Sequence, residues 1–141
     1  AAILPRGGDS ARIGKRLKLS TQESVRLAVL LADQPPLDLA AGAVAWRAAL
    51  YRLGARFFID RVLLATTAPG DWKAALALAR DWTPPELPVG GADALALGLK
   101  PGPAVGALLE AVEAWWIDGD FAAGRDACLA ELKRRAAGAA A

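Results

Sequence analysis

At 141 residues the chain is long enough for one substantial core or two small ones. It has no histidine and a single cysteine, Cys128, which removes the commonest general base, the commonest metal ligand and any internal disulfide. The formal charge of +2 is too small to mark a nucleic-acid binder. Residues 1–61, however, carry ten basic against five acidic side chains and the remainder seven against ten, so +5 in the first part opposes −3 in the second and an electropositive face belongs to the N-terminal part.

Although 55% of residues are hydrophobic, the excess is alanine and leucine. Charges interrupt every apolar run before the ~18 residues of a membrane span, so no membrane partner and a cytoplasmic location are expected. The start, AAILPRGGDS, has no initiator methionine and no charged segment ahead of a long apolar one; it reads as a trimmed or excised chain rather than a secretory precursor. Alternating β-branched runs are missing, and alanine, leucine and arginine favour helix nearly throughout. The expected fold is all-α, a multi-helix body followed by a helix-hairpin-helix-like tail.

A short basic helix is predicted after Asp9-Ser10, with Ile13, Leu17 and Leu19 apolar and Arg12, Lys15, Arg16 and Lys18 around them. Ser20 and Glu23 then have the spacing of a capping box, opening a helix that Pro35-Pro36 ends. A third helix is predicted from about Leu39 to Leu53, with Val44, Trp46, Leu50 and Leu53 facing the core and Gly54 as its stop. The run from Phe57 to Leu64, FFIDRVLL, is apolar enough for a central buried helix. Asp71 is placed to cap the segment from Trp72 to Trp82, after which Pro84, Pro85 and Pro88 halt helical structure. These signals divide the chain into a helical body over 1–83, a Pro/Gly-rich linker over 84–91 and a C-terminal hairpin and tail over 92–141.

In the last part, Ala92 to Leu97 reads as a short helix, LGLKPGPAVGALL as a turn leading into another, and Val105, Leu108, Leu109, Val112 and Trp116 as that second helix's apolar face. Glu110 and Glu113 fall opposite. Asp118-Gly119-Asp120 is expected to stop this helix and cap the last one, which runs from Phe121 into Lys133-Arg134-Arg135 at its C-terminal end, followed by a frayed AAGAAA. Asp118-Gly119-Asp120 has the form Asp-x-Asp, but with no Gly-Ser segment or strand pair before it the reading is a helix stop, not a metal site. Arg6-Gly7-Gly8-Asp9-Ser10 lacks a P-loop lysine and its strand. No catalytic residue, metal ligand or cofactor site is assigned within the chain.

The turn is where binding chemistry concentrates. Gly98 suits the left-handed end of a helix and Pro103 the first turn of the next. Gly102 and Gly106 leave backbone amides uncovered at a helix start, where free N–H groups and the positive dipole end can hold a phosphate, with Lys100 adding a charge. The alternative is a tight αα corner in which Gly106 only lets two helices approach. Arg12, Lys15 and Arg16, with Lys18, are candidates for RNA backbone contact or a solvated basic face. Arg47, Arg52, Arg56 and Arg61 suit bidentate phosphate contact, while some are expected to pair with carboxylates such as Asp60. The tryptophans Trp46, Trp72, Trp82, Trp115 and Trp116 are read as structural, and Cys128 as a small buried hydrophobe.

The segment from Asp93 to Leu109, followed by Ala114-Trp115-Trp116-Ile117, resembles the C-terminal end of bacterial CCA-adding tRNA nucleotidyltransferases and their poly(A) polymerase relatives. Their pattern there is approximately Asp-Leu-x-x-x-Gly-x-x-Pro-Gly-Pro-x-x-Gly-x-x-Leu ahead of a tryptophan-bearing helix, and Asp93 stands at its aspartate. RAALYRLG, from Arg47 to Gly54, followed by Phe57, Asp60, Leu63 and Leu64, resembles the helical body of the same enzymes, as does Leu17-Lys18-Leu19-Ser20 the lead into an earlier body helix.

The resemblance implies a region that grips tRNA through backbone contacts, partnered by an N-terminal catalytic head of its own full-length protein. In the family that head holds magnesium on paired carboxylates and takes CTP or ATP. The head has no counterpart in these 141 residues, so the chain alone is expected to be inactive. The choice between CCA and poly(A) addition lies with the head and neck. Two other readings of the residues stay open: a helical protein–protein interaction domain, and a non-specific DNA-binding helical hairpin.

Overall fold

The computed structural model describes residues 10–31, 37–66 and 69–139. Among these the chain is all-helical, with α1 Ser10–Arg16, α2 Thr21–Leu31, α3 Gly42–Leu53, α4 Ala55–Leu64, α5 Trp72–Asp81, α6 Gly91–Ala96, α7 Pro103–Asp118 and α8 Arg125–Ala139. It divides into two compact units, 1–82 and 83–141. The Pro35-Pro36 stop and the Arg6–Asp9 part of the glycine-rich start lie outside the described residues.

In the first unit, local chemistry sets most helix boundaries. The Ser20 amide donates to Glu23 Oε2 at 2.8 Å and the Glu23 amide to Ser20 Oγ at 3.3 Å, completing the reciprocal cap at the start of α2. The Ser20 hydroxyl, which donates to Glu23 Oε2 at 2.7 Å, and the Ser20 amide hold the Glu23 carboxyl below its ordinary range. Gly54 ends α3, its amide bonding the Leu50 carbonyl. Asp71 caps α5 by accepting from the Ala74 amide at 2.9 Å.

α3, α4 and α5 meet around Trp46, Leu50, Phe58, Val62, Ala75 and Ala79, joined by Leu39 from the chain before α3. Trp46 turns its indole N–H to the Asp38 carbonyl at 3.1 Å, so its polar edge is satisfied where the ring is buried. The same approach brings Gly70 against Leu39. A Cβ on Gly70, whose φ is +136°, would lie 2.3 Å from the Leu39 backbone carbon, so only glycine fits there.

Three expectations for this unit are corrected. α3 starts at Gly42 rather than Leu39, because Leu39 itself is a core side chain in the turn ahead of the helix. α4 is one-sided rather than wholly buried: Phe58, Asp60 and Val62 are inside while Leu63 and Leu64 are half exposed. Val44, expected in the core, is also half exposed.

The second unit buries Val89, Ala94, Val112, Trp116, Ile117, Cys128 and Leu132. α7 lies against both α6 and α8. Val112 and Trp116 are buried as the apolar repeat predicts, whereas Val105, Leu108 and Leu109 are half-buried and Glu113 is half-buried rather than exposed. Residues 83–90 form no helix, yet Val89 is buried, so this stretch is part of the unit's structure.

The start and end of α8 differ from expectation. Gly119 closes α7, but Asp120 and Phe121 take φ of 54° and 63° instead of starting a helix, and α8 opens at Arg125. The contacts of Trp116 accompany this turn: its indole donates to the Ala123 carbonyl at 2.9 Å, its carbonyl accepts the Phe121 amide at 2.9 Å, and the Phe121 ring stands edge-on to it with centroids 5.0 Å apart. At the other end α8 continues to Ala139, through four residues of the AAGAAA tail. Lys133, Arg134 and Arg135 therefore lie mid-helix rather than at a C-terminus, and both arginines bond Glu131 instead of meeting a helix dipole.

Candidate nucleic-acid interface

The α6–α7 hairpin begins from Asp93. Its carbonyl accepts the Leu97 amide at 3.2 Å, and the Gly98 amide reaches the Leu95 carbonyl at 2.9 Å. Gly98 then takes φ +85°, the left-handed conformation that turns the chain out of α6 at no side-chain cost. Leu99 to Gly102 cross to α7, which Pro103 opens at its first position with the extended Gly102 before it. No side chain caps this helix start. Lys100, Gly102 and Gly106 are all exposed.

Among the described residues, no packing explains the glycines of this helix start. A Cβ on Gly102 or on Gly106 would meet nothing within 4 Å. Among the described residues, therefore, Gly106 serves no close helix–helix approach, the alternative that its sequence position leaves open. An interior helical glycine costs about 1 kcal/mol relative to alanine, and no contact among the described residues offsets that at Gly106.

Of the other candidates, Arg12, Lys15 and Arg16 are exposed on α1, together with Lys18 just beyond it. Arg52 and Arg56 are exposed on either side of the Gly54 corner, one ending α3 and one starting α4. Arg47 and Arg61 are half-buried and engaged in contacts of their own. The candidates thus fall into an α1 group, an α3–α4 corner group and the hairpin, the first two on one unit and the last on the other.

Asp60 is bonded by Arg26 of α2, whose guanidinium donates to both carboxylate oxygens. The sequence suggests a partner among Arg47, Arg52, Arg56 and Arg61 and does not single out Arg26. A carboxylate inside FFIDRVLL was a signal that some cation must reach it, but not which one. Arg125 was also missed. It heads α8, donates to Pro88 O, and bonds Asp93, whose other oxygen accepts the Gly90 amide at 2.9 Å. The Gly90 amide and the Arg125 guanidinium hold the Asp93 carboxyl below its ordinary range.

Cys128 is fully buried, and burial pushes its thiol above the ordinary value. Trp116 and Trp46 are buried, and Trp72, Trp82 and Trp115 half-buried. Among the described residues no group of three or more acidic, cysteine or histidine side chains is arranged to hold a metal ion. Also among them, no helix is long and apolar enough to cross a membrane.

No family model matches the chain, and no solved structure matches it. It is similar to an uncharacterized 28 kDa protein encoded in the petA 5′ region of Rhodospirillum rubrum, with 41% identity over 90 residues, covering 55% of this chain and 32% of that protein. The chain thus spans about a third of the length of the curated relative it matches.

Proposed function

We propose that the chain is the tRNA-binding helical part of a CCA-adding nucleotidyltransferase or poly(A) polymerase relative, acting in the cytoplasm. The observation that carries this reading is the hairpin. The order of residues from Asp93 to Leu109 resembles the family's C-terminal motif, with Ala94 in place of its leucine, and Lys100 lies just ahead of a helix start that no side chain caps and whose glycines pack against nothing among the described residues. Pro103 has no N–H and the Val105 amide bonds the Gly102 carbonyl, so the amides of Gly102 and Ala104, with the positive end of the α7 dipole and a lysine, are what suits a phosphate. Glu110, exposed further along α7, restricts an anionic ligand to the first turn. In this reading Arg52 and Arg56 at the α3–α4 corner, and the basic face of α1, add backbone contacts. Nucleotide addition, with magnesium and CTP or ATP, belongs to a head outside these 141 residues.

The test is tRNA binding across a salt series with Lys100→Ala and Arg52→Ala. Each variant is expected to bind more weakly and to reduce the slope of log K against log salt by about one, as loss of one phosphate contact requires. Unchanged affinity and slope in both overturns the assignment. Preference for duplex DNA over tRNA identifies a DNA-binding hairpin instead, and nucleotide addition by this chain alone contradicts the division of labour.

A second reading, a helical protein-interaction domain, has one observation in its favour. Leu63 and Leu64 at the end of α4 are 52% and 53% exposed, so two adjacent large apolar side chains meet solvent. In that case Leu63→Lys together with Leu64→Lys abolishes partner capture and leaves tRNA affinity unchanged.

A further inference from the structure

We infer that Arg125 and Asp93 form a clamp that positions the 97–102 turn, making Arg125 a positioning residue for the hairpin rather than a contact for the ligand. Its role in presenting the turn to RNA rests on the proposed function; its role in ordering the turn does not.

The argument starts from the length of α6. Six residues form a helix only about 9 Å long, too short to be stable alone. Tertiary contacts must hold it, and Ala94 is its one buried residue. Polar ties supply the rest. Arg125 donates one guanidinium nitrogen to the Pro88 carbonyl and another to Asp93. The second Asp93 oxygen takes the Gly90 amide, which would otherwise be an orphan donor at the helix start. Arg125, the first residue of α8, thereby holds two points of the 88–93 segment, Pro88 and Asp93, and Asp93 in turn holds Gly90, with Val89 of the same segment buried.

Asp93 also links this clamp to the turn. The residue whose carboxylate is held by Arg125 uses its carbonyl to accept the Leu97 amide, one residue before Gly98 takes its positive φ. Rotating α6 by about 10° about its start carries its far end about 1.5 Å, enough to misplace Lys100 against a phosphate. Arg125 is itself about half exposed, so its substitution leaves no cavity and the helices can form without it.

A phosphate contact and a clamp make opposite predictions for the aspartate. If Arg125 met RNA directly, Asp93→Asn would leave binding unchanged or strengthen it by removing a competing charge. If the pair is a clamp, losing either partner has the same effect and losing both adds little. A lysine at 125 supplies the charge but not the two-pronged geometry that spans Pro88 O and Asp93.

The experiment uses the full chain and the variants Arg125→Ala, Arg125→Lys, Asp93→Asn and the Arg125→Ala/Asp93→Asn double. Without RNA, amide hydrogen exchange at Leu97 and Gly98 is expected to rise about tenfold or more in each alanine or asparagine variant and no further in the double, while exchange in the second half of α7 is unchanged. Exchange at the turn equal to that of the unmodified chain overturns the clamp, whatever the ligand. In tRNA titrations across a salt series, the single variants and the double are expected to lose the same several-fold affinity at an unchanged slope, with Arg125→Lys recovering only part. A slope reduced by about one in Arg125→Ala, with Asp93→Asn unaffected, makes Arg125 a phosphate contact and overturns the proposal. Absence of tRNA binding by the unmodified chain instead defeats the proposed function, and the exchange measurement still decides the clamp.

Discussion

Arg26 of α2 holds both carboxylate oxygens of Asp60 on α4, and the two ends of this pair differ in access to water. Asp60 is 6% exposed, whereas Arg26 is 39% exposed. Removing the arginine leaves a buried charge without its cation; removing the aspartate leaves a guanidinium that can turn outward and hydrate. Arg26→Ala is therefore expected to destabilise the first unit more than Asp60→Ala does. Adding Asp60→Asn to Arg26→Ala should restore part of the loss. Urea unfolding of the three variants checks the order, and equal losses would show that Asp60 can rehydrate in place.

Leu50 and Leu64 provide a contrast between similar side chains in different surroundings. Leu50 is wholly buried in the core with Phe58 and Val62; Leu64 is half exposed at the end of α4. Truncation to alanine is expected to cost about 3 kcal/mol at Leu50, from lost transfer energy and a cavity, and under about 0.5 kcal/mol at Leu64. Denaturant midpoints at unchanged m-value measure both.

The side chain of Glu131 receives Arg134 and Arg135, from the following turn of α8, and is only 10% exposed. The bond from Arg134 contributes most to lowering its carboxyl from 4.5 to about 2. A carboxyl whose pKa is lower folded than unfolded contributes stability that is fully present above the unfolded value and is lost as pH falls toward the folded one. The expected window is therefore pH 4.5 down to about 2. Thermal unfolding of Glu131→Gln should show a shallower fall in Tm across that range than the unmodified chain, with the two curves farthest apart near neutral pH. Parallel curves would mean that the Arg134 and Arg135 bonds do not persist in solution.

How far the sequence was legible follows from the range of the chemistry involved. Ser20 with Glu23, Asp71 with Ala74, and Gly98 are recognisable because the partners lie within three or four residues and the required conformation is local. The start of α8 was not, since nothing in Asp120-Phe121 announces two side-chain-bearing residues in left-handed conformation. Their geometry is tied to Trp116, whose indole reaches forward to Ala123. Arg26–Asp60 and Arg125–Asp93 join residues 34 and 32 apart. Composition shows that Asp60 requires a cation, but only the packing of α2 against α4 selects Arg26. In the hairpin, Lys100, Gly102 and Gly106 stood out by residue type, while the emptiness around the two glycines became visible only in three dimensions.

Gly98 and Gly106 separate the two uses of glycine in that hairpin. At Gly98, φ of +85° excludes alanine without strain, and Gly98→Ala is expected to cost about 1 kcal/mol. At Gly106 the backbone is helical and the space around a Cβ is open. Gly106→Ala should therefore stabilise the second unit by about 0.5–1 kcal/mol, through higher helix propensity and a less flexible unfolded chain. The same methyl stands on the exposed first turns of α7, where a phosphate backbone would approach the amides. A more stable protein that binds tRNA several-fold more weakly is the expected result, read from urea unfolding and tRNA titration of one variant. Higher stability with undiminished affinity would place the RNA contact away from Gly106.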